Sequence, residues 1–199
     1  MINPLLDFVI RLLTLILFIY WQFYWIITEK VADKEKPKSP MTRQIWFLRK
    51  ASSGIIGIVL GLQLFALPIL PLPLSPLVLY SLQIIGFALV VTGVSVAISA
   101  RRALGTNWAH AYEYQIKQKH ELVTDGIYGS IRHPIYTGLM LGILGGELVV
   151  GSYLVFGVIL LALFGYIQAK REEKLLTSHF GESYKHYMKR TKMFFPYLW

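Results

Sequence analysis

"PIYTGLMLGILGGELVVGSYLVFGVILLALFGYIQ", residues 134–168, is an apolar block too long for one membrane span. A helix needs ~20 apolar residues to cross the hydrocarbon core, and ~17 is the short end of that range. Gly151-Ser152 lies near the middle of the block and suits a turn. The block is therefore expected to form a tight helical hairpin with arms of roughly 17 residues each.

Working outward, three further apolar segments precede it, at about Leu5 to Thr28, Ala51 to Leu67 and Leu77 to Ala100. The second ends at a proline-rich turn, "LPILPLPLSP". The first is too long for a signal peptide, and no small-residue cleavage site follows it. Of the 199 residues 55% are hydrophobic and 16% charged, and the apolar ones fall in blocks, so the lipid bilayer is the expected solvent. The fold class expected is an all-α integral membrane protein of about five transmembrane helices. There are no cysteines, which excludes disulfides, thiolate metal sites and cysteine nucleophiles and leaves the redox compartment open.

The charges sort by face. Lys and Arg lie in 30–50 (seven), 101–132 (five) and 170–192 (seven), with Arg11 left over, and the connections at 68–76 and 149–153 carry none. Five spans with every charged loop on one side fit the positive-inside rule, with the N-terminus out and the C-terminus in the cytoplasm. The net charge of +9 thus reads as topology and contact with anionic headgroups, and no nucleic-acid partner is expected. Gly138, Gly142 and Gly146, and likewise Gly57 and Gly61, stand at GxxxG spacing and read as packing positions. Glu147 is the one acid inside a span; reaching water at the outer turn is favoured over lining a polar path.

Folding the last block about 151/152 sets residue i roughly beside residue 303 minus i, so Arg132 falls near Arg171 and Ile131 near Glu172. "RHP" (132–134) and "REE" (171–173) then meet at the cytoplasmic surface, clustering Arg132, His133, Tyr136, Glu172 and Glu173. The preceding loop, "KHELVTDGIYGSIRHP", is placed to cover them, with Gly126 and Gly129 permitting tight turns and Tyr128 giving an aromatic face. Two readings stand at this point. Basic residues and tyrosine at a helix end are routine interfacial anchors. The same set also suits a ligand with a charged head and a partner delivered from lipid.

The motifs "LGTNWAH" (104–110), "HELVTDGIY" (120–128), "RHPIYTG" (132–138) and "EEKLLTSHFGESYKHYMKR" (172–190) stand in the order and spacing of a known family. From about Leu104 to Pro196 the chain resembles the isoprenylcysteine carboxyl methyltransferases and their prokaryotic relatives, a branch that includes phospholipid N-methyltransferases. Residues 1–100 are expected to form three N-terminal transmembrane helices, which carry no motif and match the family only as apolar helices. The resemblance implies residues 101–199 as a catalytic half of loop, hairpin and C-terminal amphipathic helix. It further implies S-adenosylmethionine in a cytoplasm-facing pocket lined by His120, Leu122, Val123, Gly126, Tyr128, Arg132, His133, Pro134, Tyr136, Glu172 and Glu173. A carboxylate pair suits the cofactor's ammonium, and Arg132 or His133 its carboxylate. No GxGxxG follows a strand, so the Rossmann solution is not expected. Many members carry an arginine one turn before the acidic pair, where this chain has Gln168, with Lys170 and Arg171 closer to the glutamates.

Arg132, His133 and Glu173 are the candidate catalytic residues. A carboxylate acceptor needs no general base but does need a cation, for which Arg132 is first choice; an amine needs a base, for which His133 is the candidate. His110, His179 and His186 read as surface or packing residues, and no His/Asp/Glu set has metal-ligand spacing. The acceptor is expected to be lipophilic and to enter from the membrane, most naturally a carboxylate of an isoprenyl or prenylcysteine-like molecule. Phospholipid N-methylation, NADPH-dependent sterol or isoprenoid reduction and a non-catalytic scaffold are the alternatives. The membrane is the plasma or inner membrane in a prokaryote and the endoplasmic reticulum in a eukaryote.

Overall fold

A computed structural model describes residues 4–33, 59, 61–65, 70–108 and 121–196. Gly57, His110, His120 and most of the second expected span lie outside the described residues; of that span a helical piece at 61–65 is seen. Helix α1 is Pro4–Asp33, α2 Pro76–Leu104, α3 Pro134–Val150, α4 Gly157–Phe180 and α5 Glu182–Arg190. The segments Pro4–Thr28, Pro76–Leu104 and Tyr153–Phe180 are long and apolar enough to cross a membrane, and α3 is a shorter apolar helix of 17 residues.

Local sequence sets the helix ends. Ser75 caps α2 by accepting from the Val78 N–H, and Pro76 and Pro134 open α2 and α3 where a missing N–H costs nothing. Gly151, at φ 71°, ends α3 in the left-handed conformation that glycine tolerates. A 3₁₀ turn, Tyr153–Phe156, then leads into α4. The hairpin connection is therefore longer than Gly151-Ser152 alone.

α3 lies along α2, and the two helices meet backbone to backbone. A Cβ at Gly93 would sit 2.6 Å from the Gly138 carbonyl and the Gly142 nitrogen, and one at Gly86 2.6 Å from the Gly145 carbonyl. Of the glycines expected to pack, Gly138 and Gly142 do so against neighbouring helices and Gly146 is buried; Gly145 joins the α2 contact, and Gly61 has nothing within 4 Å among the described residues. Such close approach is how helices associate in lipid, where apolar burial offers no net drive. Trp21 of α1 covers Gly142, and α4 crosses α3 where Gly165 meets Met140.

The two ends of the bundle differ. At one, the Leu72 N–H donates to Gly151 (2.7 Å) and the Tyr153 N–H to Leu70 (2.9 Å), joining the loop before α2 to the turn after α3. Arg11 there pairs with Asp7 at 2.9 Å, and Gln83 donates to Asp7 and to the Val149 carbonyl. Glu147 is only 6% exposed and accepts from Gln63 at 3.4 Å, so it is enclosed among helices and does not reach out to water. At the other end Arg101 donates to the Thr28 and Gly105 carbonyls, both at 2.9 Å, and lies over the Trp108 ring. This second end carries the start of α3 and the polar continuation of α4.

Candidate functional site

Pro134 fixes where α3 begins, and the residues just before it carry the polar groups. On α4 the apolar run gives way to Gln168, Lys170, Arg171, Glu172 and Glu173 at the same level. The two stretches meet. Arg132 Nε donates to Glu173 Oε1 at 2.7 Å, and Tyr136 donates its hydroxyl to Glu172 Oε1 at 2.5 Å. His133 Nδ1 lies 3.4 Å from Glu172 Oε2, and its Nε2 3.5 Å from Glu173 Oε1. All five side chains of the expected cluster are thus together. The register is shifted from the simple folding rule: Arg132 meets Glu173, not Arg171, because the 3₁₀ turn adds residues to the connection.

The five groups are not equivalent. Glu173 and His133 are buried, with side chains 4% and 5% exposed, whereas Glu172 is 27% exposed and open to a ligand. Among the described residues, His133 Nε2 and Glu173 Oε2 are buried polar atoms without a hydrogen-bond partner. Such atoms are rare and need an explanation, of which ligand binding is one. Burial lowers the His133 pKa, but the hydrogen bonds and charges of Glu172 and Glu173 outweigh it, and the pKa is raised above the ordinary histidine value.

Arg132 differs from the expectation of a free cation. One of its terminal nitrogens donates to the Met188 carbonyl at 3.2 Å and to the Thr191 carbonyl, while Nε is held by Glu173. Gln168 is buried and accepts from Arg171 at 3.4 Å. Lys170 Nζ stands 3.6 Å from Glu173 Oε2. Pro134 is buried beneath His133 as the first residue of α3.

The covering loop is described from Glu121. Leu122 and Val123 are half-buried on the irregular stretch leading to the 3₁₀ turn Gly126–Gly129. Gly126 is exposed at φ 59°, a conformation that suits glycine. Tyr128 is buried, and its carbonyl accepts from the Tyr187 hydroxyl at 2.7 Å. The Tyr187 phenol is pushed up to about 12, chiefly by burial, so it serves as a neutral donor. Thr137, Tyr187 and Thr191 were not legible as site residues. Their partners are backbone carbonyls, and the tyrosines of "ESYKHYMKR" gave the only signal.

Comparison with known proteins gives three findings. The family model for phospholipid methyltransferase matches residues 82–183, just over half of the 199-residue chain. The protein-S-isoprenylcysteine O-methyltransferase of Schizosaccharomyces pombe is 35% identical over 101 residues, 49% of this chain and 42% of the relative. The human protein of the same name is 28% identical over 119 residues, again 42% of its length. The chain therefore spans less than half the length of these relatives. The structure of a eukaryotic intramembrane Ras methyltransferase, an isoprenylcysteine carboxyl methyltransferase, superposes with a TM-score of 0.58 at 19% identity, over 88% of this chain and 63% of the other. That likeness extends to the N-terminal helices, which carry no motif.

Proposed function

The chain belongs to the phospholipid methyltransferase family, and from that premise we propose that it is an integral-membrane, S-adenosylmethionine-dependent methyltransferase that O-methylates a lipophilic carboxylate, of isoprenyl or prenylcysteine type. The observation that carries the reading is the meeting of the two glutamates of α4 with "RHPIY": Glu172 partly exposed, and Glu173 and His133 buried beside it, each with a polar atom, Oε2 and Nε2, that makes no hydrogen bond among the described residues. S-adenosylmethionine, when bound, supplies an electrophilic methyl on a sulfonium.

Glu172 accepts the ligand's ammonium, and Tyr136 orients that carboxylate through its 2.5 Å hydrogen bond. The buried Nε2 of His133 donates to the ligand's carboxylate. Leu122, Val123 and Tyr128 would wall the adenine side. The acceptor's tail enters between helices from the bilayer and its head meets the site at the cytoplasmic end. A carboxylate acceptor is ionised at pH 7, so it would take the methyl that bound S-adenosylmethionine supplies without any residue of this chain having to remove a proton. The amine of a phospholipid must lose a proton. His133, the base available for that, is held toward its protonated form by two glutamates, which favours the carboxylate acceptor. The charged end faces the cytoplasm, with the N-terminus outside.

The test is titration of the detergent-purified protein with S-adenosylhomocysteine, with NADPH in parallel. Methyl transfer to a synthetic farnesylcysteine or to phosphatidylethanolamine follows. Micromolar binding of S-adenosylhomocysteine and an alkali-labile methyl ester on farnesylcysteine are expected. A base-stable methylamine on the phospholipid supports the N-methyltransferase, binding of NADPH alone the reductase, and binding of neither the scaffold.

A further inference from the structure

The connection from Ser130 to Pro134 has no regular structure, and His133 sits at φ −125°, ψ 55°, neither helix nor strand. Something outside it must hold it. That partner is the segment following α5. The Lys192 N–H donates to Ser130 (3.1 Å), the Arg132 N–H to Lys192 (2.8 Å) and the His133 N–H to Met193 (3.0 Å), with Ile131 and Lys192 forming a parallel bridge. Pro134 offers no N–H, so these bonds take every donor of the 132–134 backbone. Unpaired, the two amides would be orphans beside a buried site.

Side chains add to the join. Thr137 donates its hydroxyl to the Phe194 carbonyl at 2.7 Å, Arg132 reaches the Met188 and Thr191 carbonyls, and Thr191 donates to Tyr187 at 2.8 Å. The Phe194 ring stands 6.0 Å from the His133 ring, and Thr191 and Met193 are each 6% exposed. The segment is thus built into the site's rear wall.

We infer that residues 191–194 form a strap that sets the position of His133 and, through Arg132, of Glu173, with Thr137, Thr191 and Arg132 as positioning residues. The cofactor site is then made from three stretches of chain, not two. Arg132 does not touch the acceptor; it carries the strap's position to Glu173. This rests on the methyltransferase reading for what the site binds, but not for how the strap acts.

The test removes one hydroxyl. Thr137→Val keeps shape and loses the 2.7 Å bond to Phe194 together with the longer 3.3 Å bond to the His133 carbonyl; Thr137→Ser keeps both. Thr137→Val should weaken S-adenosylhomocysteine binding about tenfold, the scale of one buried hydrogen bond, and Thr137→Ser should restore it. Adding Arg132→Lys to Thr137→Val should cost less than the product of the single effects, because both act along one route. Wild-type affinity in Thr137→Val, or effects that multiply, would overturn the inference. A second readout needs no cofactor: the His133 imidazole titration followed by NMR. Its midpoint should move in Thr137→Val and not in Thr137→Ser, and an unmoved midpoint would equally overturn the inference. Absence of binding in the wild type would sink the methyltransferase reading while leaving the titration to decide the strap. Thr191→Val, which loses the strap's bond to Tyr187 and leaves the Thr137 bond to the His133 carbonyl intact, is compared in the same way and should shift both readouts in the same direction; no shift in Thr191→Val would overturn the inference.

Discussion

Glu173 is a buried carboxylate ringed by three basic groups, Arg132 at 2.7 Å, His133 at 3.5 Å and Lys170 at 3.6 Å, while Glu172 one residue earlier is partly open. Neighbours in sequence therefore have separable roles. Glu173→Gln leaves the Arg132 guanidinium buried without its counter-ion and should cost about 3 kcal/mol of stability, read as a lowered unfolding midpoint in detergent. Glu172→Gln, at a partly exposed position, should lower that midpoint less than Glu173→Gln does and weaken S-adenosylhomocysteine binding by about 10- to 100-fold, the loss of a charged hydrogen bond. His133 gives the pH dependence. Its pKa is raised in the folded protein by the two glutamates against the pull of burial. Its stabilising contribution is thus complete below the unfolded value of about 6.5 and lost as pH rises through the folded pKa. The difference in unfolding midpoint between wild type and His133→Gln should accordingly be largest on the acid side of about pH 6.5 and shrink at alkaline pH. The five-residue cluster was legible in the sequence because the bilayer boundary fixes where polar residues resume on each arm of a hairpin. The strap was not, because backbone pairing of 130–133 with 192–193 leaves no side-chain pattern to read.

At the scale of elements, the α2–α3 pair is the scaffold that holds the start of α3 in place. A side chain at Gly93 or Gly138 has to displace backbone, since a Cβ at either would stand 2.6 Å or less from the facing carbonyl. Gly93→Leu should lower the unfolding midpoint by the equivalent of about 3 kcal/mol or more, whereas Gly61→Ala, which meets nothing within 4 Å, should be close to neutral. Gly138 and Gly142 were legible from their spacing. Gly86 and Gly93, seven apart in a run of valine, alanine and isoleucine, were not, because an isolated glycine in an apolar helix carries no sign of what faces it. Glu147 was misjudged for a related reason. Its partner Gln63 comes from a different helix, and a polar pair of that kind is invisible until the helices are placed.

At the scale of the whole molecule, the pairing of loops defines two ends, and the sorting of charge is the expectation for which of them faces the cytoplasm. The loop before α2 and the turn after α3 share one end, and "RHP", the acidic pair and α5 share the other. The absence of cysteine makes this directly testable. A single Pro73→Cys should react with an impermeant maleimide in intact cells or right-side-out vesicles, and Lys185→Cys only after permeabilisation. The opposite labelling pattern would invert the topology. The spans at Pro4–Thr28, Pro76–Leu104 and Tyr153–Phe180 were legible because ~20 apolar residues is a demand of the bilayer, not of this fold. The glycine seam has one more consequence, for how the chain enters the membrane. α3 is only 17 residues long and carries Glu147, a marginal pair of properties for a segment that must partition into lipid unaided. The ribosome makes α2 first. When α3 emerges, a helix with glycine gaps cut to its own glycines is already present, and docking there replaces solvation by lipid. Insertion of α3, and with it the placement of the His133–glutamate cluster at its start, is thereby expected to depend on α2 being in the membrane already.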